Sequence, residues 1–215
     1  MEGRGVDQCI HILQGKQIYA EPKATFVAFL YTPLFYYLGA LLMKLLGEGF
    51  LALRIISILS FLGSLVLVYR IISNETKSSP ASWIGCGLFA ASFGVVGNWY
   101  DVGRVDSLAI FLILFSAYTL RYYAGTGGAV LSAVLFSASF LTKQSALVFL
   151  PFMMLPVYLS RRRDGLIFAV SSAVICLGFL LLLSAKSQGW SWFYLFKIPA
   201  STSRSYRVLL SYPIK

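Results

Sequence analysis

Asn98-Trp99-Tyr100-Asp101-Val102-Gly103-Arg104-Val105-Asp106-Ser107 interrupts a long apolar sequence, and the fold turns on how it is read. From Trp83 to Ser160 only five side chains carry a formal charge. Three of them, Asp101, Arg104 and Asp106, stand within these ten residues, and the others are Arg121 and Lys143. A charge placed at mid-membrane costs about 2.5–3.5 kcal/mol on insertion scales, so such groups are sparse and mark function. If the flanks are membrane helices, the stretch is a water-facing loop with two carboxylates, one guanidinium and two interfacial aromatics. A plain turn, with Asp106 capping a helix and Arg104 reaching a lipid phosphate, accounts for any one of these residues. Two acids flanking one arginine at a helix start point to a working site.

The composition decides the solvent. Of 215 residues, 58% are hydrophobic and 12% charged, whereas a soluble domain carries about 25% charged residues. The expected fold is therefore all-α, a polytopic bundle of transmembrane helices. The net charge of +10 comes from 18 Lys and Arg scattered over segment ends, turns and the tail. No basic amphipathic stripe forms, so the charge speaks for membrane orientation and lipid contact, with no nucleic-acid partner. Cys9, Cys86 and Cys176 lie far apart and His11 is the sole histidine, so no zinc constellation is available and the cysteines are expected to be packing residues. The first 24 residues lack an apolar core, so no signal peptide is expected.

Residues 1–25 are mixed and polar, with a turn-rich run from Gly15 to Pro22. Apolar segments follow at 26–46, 50–69, 82–98, 107–120, 129–141, 145–160 and 165–184, and Gly47-Glu48-Gly49 breaks the first from the second. A hydrocarbon core of about 30 Å takes roughly 20 helical residues. The segments at 107, 129 and 145 are short by that measure. Either they borrow flanking residues, or 129–160 forms a shallow hairpin; whether 26–46 spans is equally open.

Lysine and arginine set the orientation. With the six segments after Gly49 spanning, the turns near 70–81, 121–128 and 161–164 share one side and hold Arg70, Lys77, Arg121 and Arg161-Arg162-Arg163. The turns near 99–106 and 142–144 share the other and hold only Arg104 and Lys143. The first side is then cytoplasmic and the Asp101 loop external. The tail, with Lys186, Lys197, Arg204, Arg207 and Lys215, is the one departure from the rule. The resulting division is a first external loop over 1–49, a bundle of about six spans over 50–184, and an external interfacial segment and tail over 185–215. Trp83, Trp99, Trp190 and Trp192 fall at segment ends, where indoles favour the interface. The sequon Asn74-Glu75-Thr76 falls in a cytoplasmic turn and is read as chance.

Four motifs then stand in a telling order: Tyr31-Thr32-Pro33-Leu34-Phe35-Tyr36-Tyr37, Leu53-Arg54-Ile55-Ile56-Ser57, Asp101 to Ser107, and Phe140-Leu141-Thr142-Lys143-Gln144. Together they resemble the GT-C glycosyltransferases related to protein mannosyltransferases and to the transferase that puts aminoarabinose on lipid A, most of all the bacterial family 39-like group. The resemblance runs to about Pro199. It implies a multi-pass enzyme of the bacterial plasma membrane that uses a polyprenyl-phosphate-linked sugar donor, with its active site on the external face. It also implies that the Tyr-x-Pro-Leu helix is a juxtamembrane element of the first external loop. The acceptor stays open among glycan, lipid and protein. Glu2 matches the acidic motif that supplies the family's catalytic base. Family members place a transmembrane helix before that motif and several helices after the last one here, so a piece of a longer enzyme is expected.

Sugar transfer from a lipid phosphate needs a carboxylate to accept the acceptor's hydroxyl proton, and positive charge for the phosphate that leaves. Glu2, Asp101 and Asp106 are the catalytic candidates, with Asp7 a weaker one. Arg104 suits a phosphate in bidentate fashion, and the N-terminus of the helix at Asp106-Ser107 offers N–H groups. Lys143, Gln144, Arg54 and Tyr31 complete the substrate-binding set. Asp101 and Asp106 would repel a bare phosphate, so three roles are open to them: holding Arg104 and Lys143, binding a divalent cation, or contacting sugar hydroxyls. Two other functions compete. A flippase of lipid-linked sugars would want charges inside spans and paired breaks, yet most charges here stand at segment ends. The other is an inactive fragment that binds lipid phosphate without transferring sugar.

Overall fold

The computed structural model describes residues 2–22, 30–95 and 101–202; it is helical, with no strand among the described residues. Helix α1 spans Glu2–Leu13, α2 Leu34–Leu46, α3 Phe50–Thr76, α4 Ser79–Ala91, α5 Val105–Tyr122 and α6 Thr126–Thr142. A 3-10 stretch, Gln144–Phe149, leads into α7 (Leu150–Ser160), and α8 covers Arg162–Lys186. Short helices α9 (Trp190–Trp192) and α10 (Ile198–Thr202) flank a π-helical turn at Phe193–Lys197. Among the described residues three helices, α3, α5 and α8, are long and apolar enough to cross a membrane, whereas α2, α6 and Gln144–Ser160 are apolar but shorter. The all-α membrane bundle expected from composition is what the chain forms.

Helix ends differ from the apolar segments for identifiable reasons. Helix α3 outruns the apolar run 50–69 and takes up most of the turn expected over 70–81. Lys77 ends it in the left-handed region at φ 54°, with its N–H on the Ser73 carbonyl. Ser78 then caps α4 by accepting from the Ala81 N–H, with Pro80 in the first turn where no N–H is needed. The short segments at 107 and 129 do borrow their flanks, reaching 18 and 17 residues. Helix α4 stops at Ala91; residues 96–98 of the predicted segment lie outside the described residues, as do Trp99, Tyr100, Phe26, Arg204, Arg207 and Lys215. The mixed stretch 1–25 holds a helix that no apolar run announces. The buried side of α1 is Gly5, Val6, Gln8 and Cys9, too small and polar to register as a segment.

Helix α1 packs on α2 and α3, α3 on α4 and α5, α5 on α6, and α6 and α7 on α8. The interior is largely small and hydroxylated. Ser116 and Ser132 exchange hydrogen bonds between α5 and α6, each hydroxyl donating to the other's carbonyl at 2.8 Å, and Ser139 donates to the Ala109 carbonyl at 2.9 Å. Such residues let helices approach closely where lipid offers no hydrophobic drive for association. Cys9, Cys86 and Cys176 are buried and unbridged. One end of the bundle is tied by ion pairs. Arg121 and the Tyr122 hydroxyl meet Glu75, while Arg161 and the Gly125 N–H meet Asp164.

Close approach is most exacting at the α7–α8 hairpin, where a Cβ on Gly165 would lie 2.7 Å from the Tyr158 Cα. The obstruction is backbone, so it cannot rotate aside. Overpacking costs about 1–3 kcal/mol, or roughly 2–10 °C in a chain of this size. Gly165→Ala is expected to lower the Tm of the detergent-solubilised protein by that amount. Gly178→Ala on the same helix, with nothing within 4 Å of its Cβ, is expected to leave it unchanged.

Candidate active site

The end of the bundle opposite Glu75 gathers the charges that the sequence singles out. Helix α5 begins at Val105 with Arg104 as its extended N-cap residue, so Asp106 falls in the first helical turn. Its carboxylate is 9% exposed and takes two cations. Arg104 Nε lies 3.1 Å from Oδ2, and Lys143 Nζ lies 2.6 Å from Oδ1. Asp106 thus meets both Arg104 and Lys143, the contacts that the first of its three expected roles requires. Two cations on one carboxylate leave a positive charge in excess at a helix N-terminus, where the dipole is also positive.

Lys143 is delivered by the end of α6. It adopts extended backbone, its N–H reaching the Ser139 carbonyl, and its Nζ stands 5.7 Å from the centre of the Tyr31 ring. Tyr31 is placed in turn by its neighbours: Thr32 donates to the Phe140 carbonyl at 2.7 Å, and the Tyr19 hydroxyl donates to the Tyr31 carbonyl. Gln144 faces elsewhere. Its Nε2 donates to the Leu30 carbonyl at 2.6 Å and the Leu195 carbonyl at 3.2 Å, tying the 30–33 approach to the π-helical turn.

A second cluster forms around Glu2. Arg54 grips its carboxylate in bidentate fashion, Nε to Oε1 at 3.0 Å and Nη2 to Oε2 at 2.8 Å, and the Gly103 N–H donates to Oε1 at 2.7 Å. The Arg54 hydrogen bonds, with smaller help from Gly103, hold the Glu2 carboxyl below its ordinary range. Ser57, one turn after Arg54, exchanges hydrogen bonds with the Arg104 backbone at 3.3 and 3.4 Å. The loop 101–104 thus joins the two clusters. Asp101 is exposed on it and pairs with no described cation, and Asp7 is likewise exposed on α1.

Gly103 is the residue that sequence reasoning passed over. Its backbone donates to Glu2, and a Cβ there would lie 2.6 Å from the Leu53 Cβ. A glycine between two charged residues was the available signal. No group of three or more His, Cys, Asp or Glu that could hold a metal ion occurs among the described residues. A divalent ion bridging Asp101 and Asp106 would meet two resident cations on Asp106.

A family model described as Glycosyltransferase family 87 matches residues 29–210. The chain is 25% identical over 174 residues to the undecaprenyl phosphate-alpha-4-amino-4-deoxy-L-arabinose arabinosyl transferase of Pseudomonas aeruginosa, an alignment covering 74% of this chain and 32% of that protein. The chain therefore spans about a third of the length of that relative. No solved structure matches.

The depressed Glu2 carboxyl has a consequence for stability. A carboxylate whose folded pKa lies below the unfolded value of 4.5 stabilises the fold fully above that value, and the contribution vanishes as pH falls through the folded value. The Tm difference between the protein and its Glu2→Gln variant is expected to stay constant from about pH 8 to 5 and to shrink below about pH 4.5. A difference that grew on acidification would contradict the assignment.

Proposed function

Because the chain belongs to glycosyltransferase family 87, we propose that it moves a sugar from a polyprenyl-phosphate-linked donor to an acceptor hydroxyl at the external face of the membrane. One observation carries the reading: the excess positive charge at the start of α5, built from Arg104 and Lys143 on a single Asp106 carboxylate. The donor named for the Pseudomonas relative, an undecaprenyl phosphate sugar, is of the class such a site suits. The finer family 39-like affinity rests on the motifs alone.

In the proposed reaction, the acceptor oxygen attacks the anomeric carbon and the bond from that carbon to the phosphate oxygen breaks. Polyprenyl phosphate leaves with the electron pair, and the hydroxyl proton passes to a carboxylate. Lys143 and Arg104, steered by Asp106, take the phosphate, assisted by the positive end of the α5 dipole. Glu2 is assigned the proton, because it matches the acidic motif of the GT-C enzymes that the sequence resembles and Arg54 keeps it ionised. Its three hydrogen bonds weaken it as a base, so Arg54, half exposed, has to loosen as substrate enters. Asp101, in an ion pair with no described cation, is assigned to acceptor or sugar hydroxyls. Tyr31 shapes the wall beside Lys143, and Gln144 holds the approach that carries Tyr31.

General-base catalysis contributes about 10²–10⁴-fold. Glu2→Gln is therefore expected to lower turnover of a radiolabelled lipid-linked sugar donor at least 100-fold while donor binding persists, whereas Lys143→Ala is expected to weaken donor binding itself. Unchanged turnover in both variants would refute the assignment.

A further inference from the structure

A cleft of about 360 Å³ opens beside the charged clusters, between the C-terminal end of α8 and the turn that follows α1. Its apolar wall is Ile18, Leu183 and the rings of Tyr19 and Tyr37, and Gln17, Lys186 and Ser187 supply the polar atoms. That volume lies in the range of ligand pockets, about 300–1,000 Å³. Among the described residues no carboxylate lines it, and Lys186 pairs with no described acid.

The position of the cleft fixes what can reach it. Leu177, Leu181 and Leu182 of α8 are 59%, 71% and 65% exposed, an apolar strip that leads up the helix to Lys186. A lipid chain lying along this strip brings its headgroup to the cleft. The carbonyl end of α8 is the negative pole of the helix, so an anion there is met by the ammonium and not by the backbone. The back wall is rigid: Tyr19 is 3% exposed, its hydroxyl donates to the Tyr31 carbonyl, and its ring stands 6.3 Å from Tyr194. Through Tyr31 the cleft lies one side chain away from Lys143.

We propose that this cleft is a second lipid site, taking a phosphate-bearing amphiphile whose headgroup meets Lys186 and whose chain runs down α8. Two sources share that chemistry, an anionic phospholipid and a polyprenyl monophosphate. The proposal stands apart from the transfer reading, because binding is measured without turnover. The whole chain is placed in phosphatidylcholine nanodiscs doped with either phosphatidylglycerol or polyprenyl monophosphate, and retained lipids are counted by native mass spectrometry. The expected result is one retained phosphate lipid that Lys186→Ala and Leu183→Trp each reduce at least tenfold and that Lys186→Arg restores. Arg104→Ala and Lys143→Ala are expected to leave this lipid in place. Retention of phosphatidylglycerol alone names the phospholipid as occupant, and retention of polyprenyl monophosphate alone names the prenyl lipid. If the prenyl lipid is retained twice, loss of one copy through Lys186 and the other through Lys143 separates this site from the transfer site. Equal retention by the protein, Lys186→Ala and Leu183→Trp overturns the proposal, as does the absence of any retained phosphate lipid.

Discussion

The buried carboxylate of Asp106 is the constraint around which the rest of this bundle is arranged. Removing a charge from water costs several kcal/mol even after relaxation, and only close partners return it. Asp106 has two, delivered by different elements: Arg104 from the loop before α5 and Lys143 from the end of α6. Meeting that demand fixes where α5 starts, where α6 ends and how the two helices are phased. The serine contacts Ser116–Ser132 and Ser139–Ala109 continue the same register down their shared face. A structural requirement of one acid thereby holds two cations in place that would otherwise wander on long side chains.

The two ends of the bundle solve different problems. At one end, Glu75 and Asp164 are each matched by one cation and one neutral donor, and these balanced pairs tie helices together. At the other, the Asp106 cluster keeps a surplus of positive charge while Glu2 and Arg54 cancel. Balanced charge suits a fastening. Surplus charge suits an anion that comes and goes, and the family to which the chain belongs transfers sugars.

How much of this could be read from the sequence depends on how isolated each residue was. Asp106, Arg104 and Lys143 stood out because they were nearly the only charges in an apolar stretch, and an apolar surrounding forces such charges together. The pairing of Glu2 with Arg54, 52 residues away, was reachable only through the order of motifs, because many charges compete near both positions. Gly103 offered only its place between two charges as a signal: its importance lies in how near Leu53 comes, which is a property of packing. The same holds for Ile18 and Tyr19, buried although they sit in a polar, turn-rich run. The helix ends shifted for a related reason. Glu75 looks like a turn residue until a partner helix supplies Arg121.

The π-helical turn at Phe193–Lys197 has a bearing on how this chain tolerates change in length. A wide turn spaces its backbone bonds at five residues, not four, and loosens the claim of the helix on its own carbonyls. Here the Leu195 carbonyl accepts from Gln144. Deleting one residue from this turn would restore an ordinary helix and rotate everything beyond it by about 100°. Tyr194 and Leu195 would leave their buried seats and Gln144 would lose a partner. Length variation among related chains is thus expected to avoid these five residues and to collect in the polar connections instead, where an added residue lengthens a loop without rephasing a helix.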